Sequence, residues 1–323
     1  MSLVSEKTIS RPPTAAEYAA DRVFRVLTHC CAWLTILVCL LLVWQIAAAA
    51  SPAVQRYGFD FLRGTTWDAG KDQFGILPEI WGTLYSSILG VAIGALFGLA
   101  VAIFLTQNYL PPWLEDLLKH TVNLLAAIPS VVYGLWGIFV VIPAIRPACN
   151  WLHGHLGWIP FFGTPLLSVG MLPAALVLAI MVLPTISAIA RDAIAAVNPR
   201  LREAAFGLGA TRWETILAVV LPTSSRGIYG AIVLGFGRAI GETMALAMLV
   251  GSANVMSWSL FSPANTLAAL LANKFSEAAS PMEIGVLMYA ALVLLALTLL
   301  VNFVGELIIR TSSGVVAVKG AAK

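Results

Sequence analysis

Six apolar runs decide what this chain can fold into. They lie at about 29–50, 80–106, 121–145, 168–190, 224–250 and 284–309, each near or above the roughly 20 residues that carry a helix across a bilayer. Backbone in hydrocarbon must satisfy its own hydrogen bonds, so the runs predict an all-α integral membrane protein with six transmembrane helices. Composition agrees: of 323 residues, 59% are hydrophobic and 11% charged, with mean hydropathy +0.89. No soluble domain of this size carries so little charge. A net charge of +3 is too small and scattered for a nucleic-acid partner. Cys30, Cys31 and Cys39 fall in or beside the first run and only Cys149 in a loop, so there is no disulfide framework.

Six crossings put both termini on one side, and basic residues say which. With the N-terminus inside, cytoplasmic segments hold Lys7, Arg11, Arg22, Arg25, Lys119, Arg191, Arg200, Arg202, Arg212, Arg226, Arg310, Lys319 and Lys323. The outer segments hold only Arg56, Arg63, Lys71, Arg146 and Lys274. Basic residues favour the cytoplasm, which gives N-in, C-in. The chain divides into a flexible cytoplasmic tail (1–27), a transmembrane domain (28–310) and a second cytoplasmic tail (311–323).

One polar interruption is patterned. Asn198 to Pro222 reads NPRLREAAFGLGATRWETILAVVLP. Asn198 is a candidate N-cap with Pro199 at the first helical position. Leu201, Ala204, Ala205 and Leu208 fall at i, i+3, i+4 and i+7, one face of a short helix, with Arg200, Arg202 and Glu203 off that stripe. Gly209 suits a left-handed terminating residue. Thr211 and Glu214 form a capping box for a second helix, with Trp213, Ile216, Leu217 and Val220 as its apolar face, ending before Pro222. The topology places this helix–turn–helix elbow in the cytoplasm.

Within the spans, Gly90, Gly94 and Gly98 make two overlapping G-x-x-x-G patterns that let two helices approach closely. Pro129, Pro143, Pro173 and Pro184 predict kinks in spans three and four. The outer segments are aromatic (Phe59, Phe61, Trp67 and Phe74, then Trp151, Trp158, Phe161 and Phe162), as at a membrane interface or a docking surface. His153 and His155 with Cys149 make no convincing metal site, and no metal or other cofactor is expected.

The elbow resembles the cytoplasmic signature of permease subunits in binding-protein-dependent ABC importers: E-A-A, three residues, G, nine residues, then I-x-L-P. Glu203, Ala204, Ala205, Gly209, Leu221 and Pro222 match, and Val219 replaces the Ile. A narrower resemblance spans most of the chain. FGILPEIWGTLYSSILG (74–90), LLAAIPSVVYGLWGIFVVIP (124–143) and GRAIGETMALAMLVG (237–251) look like the phosphate-specific importer's transmembrane subunits, the C-type in particular. Ala127 stands where that family usually has Gly, and Ser252 where it often has Asn. The resemblance implies the type I ABC importer permease fold in a bacterial plasma membrane. It implies inward phosphate transport with three kinds of partner: an A-type second permease subunit, a cytoplasmic ATPase dimer and an extracytoplasmic phosphate-binding protein. In that family the elbow is the coupling helix, here carried by Glu203, Ala204, Ala205 and Gly209.

The chain lacks G-x-x-x-x-G-K-[ST], since its one Gly-Lys pair, Gly70-Lys71, precedes Asp72. ATP hydrolysis therefore belongs to another subunit, and the chain is not expected to be an enzyme. A permease for phosphonate, sulfate or molybdate is the nearest alternative. An ion-coupled carrier would favour several intramembrane acids and a repeat, whereas only Glu242 lies deep in a span.

Arg238 lies roughly 21 Å along span five from Ser224, near the middle of a core about 30 Å thick. Such a residue should face protein or water and find a partner. Glu242 follows at i+4, so the spacing predicts an ion pair on one helical face. The pair either fixes the helix or lines the anion's path, with Thr243, and Ser130 beside Pro129, as further donors.

Overall fold

The computed structural model describes residues 14–107 and 109–321, with side chains to 311. The tail cations Lys7, Arg11, Lys319 and Lys323 lie outside these described residues or side chains. The chain forms two compact units, Met1–Ala49 and Ala50–Lys323.

Helix α1 (Ala15–Tyr57) starts earlier than expected. Residues 15–27, read as flexible tail, are helical because Thr14 and Glu17 cap each other: Thr14 N–H donates to Glu17 Oε2 (2.6 Å) and Glu17 N–H to Thr14 Oγ1 (3.3 Å). In the first unit the described residues to Gln45 are all exposed, leaving an apolar helix for lipid or a partner to cover.

In the second unit, a short α2 (Asp60–Arg63) and the hairpin β1 (Trp67–Asp68)–β2 (Gln73–Phe74) lead to α3 (Leu77–Phe104). There follow α4 (Pro112–Leu125), α5 (Ser130–Leu156), α6 (Met171–Ala195), α7 (Pro199–Gly207) and α8 (Arg212–Ile240). The last three are α9 (Met244–Leu249), α10 (Leu267–Lys274) and α11 (Pro281–Ala321). Six of these, α1, α3, α5, α6, α8 and α11, are long and apolar enough to cross a membrane.

Two boundaries differ from the apolar runs. The third crossing begins at Ser130 rather than near 121, because Pro129 is extended (φ −60°, ψ 142°) and proline disfavours helix in the residue before it. Residues 112–125 form the separate α4, and Cys149 is not in a loop but buried in α5. The fifth run divides at Gly241–Thr243 into α8 and α9. Conversely, the elbow's second helix does not stop before Pro222 but runs on as α8.

A π turn at Ile216–Val220 absorbs that proline: Leu221 N–H bonds to Ile216 O, five residues back. The same solution precedes Pro143, where the π turn Gly137–Val141 ends with Ile142 N–H on Gly137 O. In both, proline's missing N–H leaves room for the wider turn.

α6 is the centre of this unit. A Cβ on Gly90 would lie 2.8 Å from Leu178 Cδ2, on Gly94 2.9 Å from Ala179 O, and on Gly98 3.2 Å from Ile186 Cγ2. The glycine stripe is thus where α3 meets α6. Gly235 brings α8 against Ile186 from another side, its Cβ position 2.7 Å from Cγ1. At the outer end, the segment after α9 is latched to α3. Asn265 Nδ2 donates to the buried Glu79 Oε1 (3.4 Å), and Leu267 N–H to Thr83 Oγ1 (2.9 Å).

Candidate functional site

The elbow forms as its residues dictate. Asn198 Oδ1 accepts from Arg200 N–H (3.0 Å), opening α7 behind Pro199. Gly209 ends the turn at φ +86° with nothing within 4 Å of a Cβ, so glycine is needed there for backbone conformation alone. Thr211 and Glu214 make the reciprocal capping box, with Thr211 N–H on Glu214 Oε2 at 2.8 Å. The expected stripe does not pack inward: Ala205 is buried, but Leu201, Ala204 and Leu208 are exposed, Leu208 to 90%. Glu203, Phe206 and Trp213 are exposed too. Ala205 anchors the short helix while its other side offers apolar surface outward. Arg202 ties the elbow to the last turn of α6, its Nη2 donating to Ile194 O (2.9 Å).

Arg238 and Glu242 do not pair. α8 ends at Ile240, and Glu242 sits half-buried in the break, its N–H on Ala239 O (3.3 Å). Without the helix the i,i+4 geometry is lost, and neither residue has an ion pair among the described residues. Arg238 instead donates from Nη1 to Thr185 Oγ1 (2.9 Å) on α6. Thr185 is about 21 Å along α6 from Met171 at 1.5 Å per residue, so the guanidinium stays at mid-span depth. Tyr133, on the first turn of α5, donates its hydroxyl to Leu125 O (2.8 Å). Ser130 is one turn before Tyr133. Thr243 turns back, its hydroxyl donating to Gly241 O (3.1 Å).

Glycines hold this arrangement together. A Cβ on Gly134 would lie 2.7 Å from Met248 Sδ, and one on Gly137 2.7 Å from Leu249 Cδ2, so α9 rests directly on α5. A cation at mid-depth thus has the Thr185 hydroxyl as its hydrogen-bond partner and no ion pair among the described residues. Sequence reasoning missed Thr185, because nothing local connects position 185 to position 238.

The outer aromatics are largely structural. Trp67 packs edge-on against Phe74 (5.1 Å), Phe61 stacks on Tyr289 (4.6 Å) and Phe162 on Phe261 (5.7 Å), while Trp158 is 80% exposed. His153 is held by Phe162 O at 2.8 Å, and no group of acids, histidines and cysteines suited to a metal occurs among the described residues.

Residues 94–312 match the family described as "Binding-protein-dependent transport system inner membrane component". The chain is 36% identical to the phosphate transport system permease protein PstC of Mesorhizobium japonicum, over 90% of this chain and 91% of that protein. With the protein of the same name from Haemophilus influenzae it shares 39% identity, over 80% and 82%. A solved bacterial ABC transporter involved in import of the acidic polysaccharide alginate superposes with TM-score 0.61 at 17% identity, covering 91% of this chain and 98% of that one. The inward-facing MetNI methionine ABC transporter gives 0.53 at 20% identity, over 73% and 95%. At these identities the likeness to the two structures is one of fold.

Proposed function

We propose that this chain, which belongs to the binding-protein-dependent transport system inner membrane component family, is the C-type permease subunit through which an ATP-driven importer moves inorganic phosphate into a bacterial cell. Its fold is that of type I importer permeases, and it is a multi-pass plasma-membrane protein that works with a separate ATPase and a solute-binding protein. The finer partners are an A-type permease completing the pathway, an ATPase dimer on the elbow and a phosphate-binding protein outside.

The observation that carries the reading is Arg238. A permanent cation at mid-depth, held by a hydroxyl and without an ion pair among the described residues, invites a transient anion. Its planar fork matches two phosphate oxygens. Thr185 aims the fork, and Ser130 supplies a hydroxyl at the start of α5, where free backbone N–H groups also favour negative charge. Glu242 and Thr243 lie in the break beside it, and the uncommitted carboxylate keeps the anion from binding too tightly. At the elbow, Ala204 with Leu201, Phe206 and Leu208 forms the face for the ATPase, Ala205 and Gly209 set its shape, and Glu203 lies on its polar rim. The exposed Trp158 belongs to the outer face that meets the binding protein.

ATP-dependent uptake of labelled phosphate by the reconstituted complex tests this. Phosphate should be taken up and should resist competition by sulfate, molybdate and phosphonate. Equal competition by another oxyanion would reassign the solute, and uptake without ATP would remove the importer reading.

A further inference from the structure

A cavity of about 600 Å³ opens between the elbow and the cytoplasmic ends of α3, α4 and α6, within the ~300–1,000 Å³ typical of ligand sites. It is far from the exposed apolar face of α7 in character: its lining is polar and charged, with Lys119, Arg191, Arg202 and His120 beside Glu115 and Asp116. Both acids are already spent on one cation, Lys119 Nζ lying 2.7 Å from Glu115 and 3.4 Å from Asp116. The Glu115 hydrogen bond raises Lys119 above the usual lysine range, so it remains an ammonium.

The two guanidiniums are less well matched. Among the described residues, Arg191 has only its neighbour Asp192, whose Oδ1 accepts from Nε (3.3 Å) and Nη2 (3.2 Å) and whose carboxylate is 73% exposed, so Nη1 is left over. Arg202 gives Nη2 to Ile194 O, and its Nε is buried with no acceptor among the described residues. A metal cation would find both acids of the lining occupied. A neutral ligand would leave two fixed positive forks facing one pocket. An oxyanion answers both.

We infer that this cavity is a cytoplasmic anion site for a phosphate group, bridged between Arg191 on α6 and Arg202 on α7. Free inorganic phosphate and the headgroup of an inner-leaflet lipid present the same chemistry. The occupant straps the elbow to the last turn of α6, beside the Ile194 contact. The site is separate from Arg238, and its existence does not depend on which solute the permease carries.

The test uses the purified whole complex in nanodiscs of phosphatidylcholine alone or with phosphatidylglycerol, without ATP or binding protein. Labelled inorganic phosphate is titrated in, and retained lipid is read by native mass spectrometry. Phosphate binding in phosphatidylcholine discs should survive Arg238→Gln and weaken about tenfold or more in Arg191→Gln and in Arg202→Gln, as when a buried charged hydrogen bond is lost. If the headgroup is the natural source, phosphatidylglycerol should compete with phosphate and remain bound to wild type but not to these two variants. Arg191→Gln guards against misfolding, since the hydrogen bonds of Arg191 go to Asp192 on its own helix and not to the elbow. The inference is overturned if both variants, with wild-type thermal unfolding, bind phosphate and lipid as wild type does. It is equally overturned if wild type binds neither, or if Arg238→Gln alone removes all binding.

Discussion

The elbow at Asn198–Pro222 and the break at Gly241–Thr243 both interrupt helices, by opposite means. The caps of the elbow are local: Asn198 to Arg200, Thr211 to Glu214, and a left-handed Gly209. The break has no side-chain cap at Thr243. Contacts distant in sequence hold it: Arg238 on Thr185, Gly170 N–H on Leu249 O (2.9 Å), Ala264 N–H on Val250 O (2.9 Å) and Gly134 under Met248. The elbow is shaped by its own caps and presents exposed apolar side chains, whereas the break exists only because its neighbours shape it. The elbow's surface can therefore change without disturbing the break, but the break cannot change without the core.

Four experiments sharpen or break that contrast. Arg238→Gln should lower phosphate uptake by about 100-fold or more, on the scale of a lost charged contact, with copurification of the ATPase unchanged. Arg238→Lys should restore part of it by charge alone. Normal transport by Arg238→Gln, or failure to assemble, would make the residue structural. Next, Gly134→Ala should destabilise by about 1–3 kcal/mol through overpacking against Met248 and Ala245, read as a lowered thermal midpoint in detergent. An unchanged midpoint would mean that α9 is free to yield.

Gly209→Val should cost about 1–2 kcal/mol for a left-handed backbone. Its larger effect should be on coupling, with ATP hydrolysis continuing while uptake falls and membrane insertion is retained. Coupled transport at the wild-type ratio would separate the elbow from the ATPase. Smallest is Thr211→Ala, which removes the cap at a cost of about 1 kcal/mol. Amide exchange should quicken at Glu214 and Thr215 and leave Arg238's surroundings untouched. Slowed uptake there would show that the two interruptions are coupled after all.

What was legible in the sequence follows the same division. Span number, orientation, the glycine stripe and each elbow cap could be read, because each depends on composition or on residues within one turn. The start of α5 and the end of α8 could not, because apolar runs continue through both. Only the backbone at Pro129 and the packing of α9 on α5 place those boundaries. The expected Arg238–Glu242 pair failed for the same reason. Its spacing was right for a helix, but the helix stops two residues short of Glu242. Thr185, 53 residues away from its partner, left no local mark at all.

The π turn at Ile216–Val220 joins the two regions mechanically. Helix α8 is one rod with the elbow's cap at its foot and Arg238 near its head. One surplus residue in a single turn twists everything above it by about 100°, the angular step of an α-helix. The azimuth of Arg238 relative to the elbow's exposed face is thus set by one position in the chain. A single-residue insertion or deletion in that turn is the smallest inheritable edit that re-aims one end of the rod while leaving the chemistry of both ends intact.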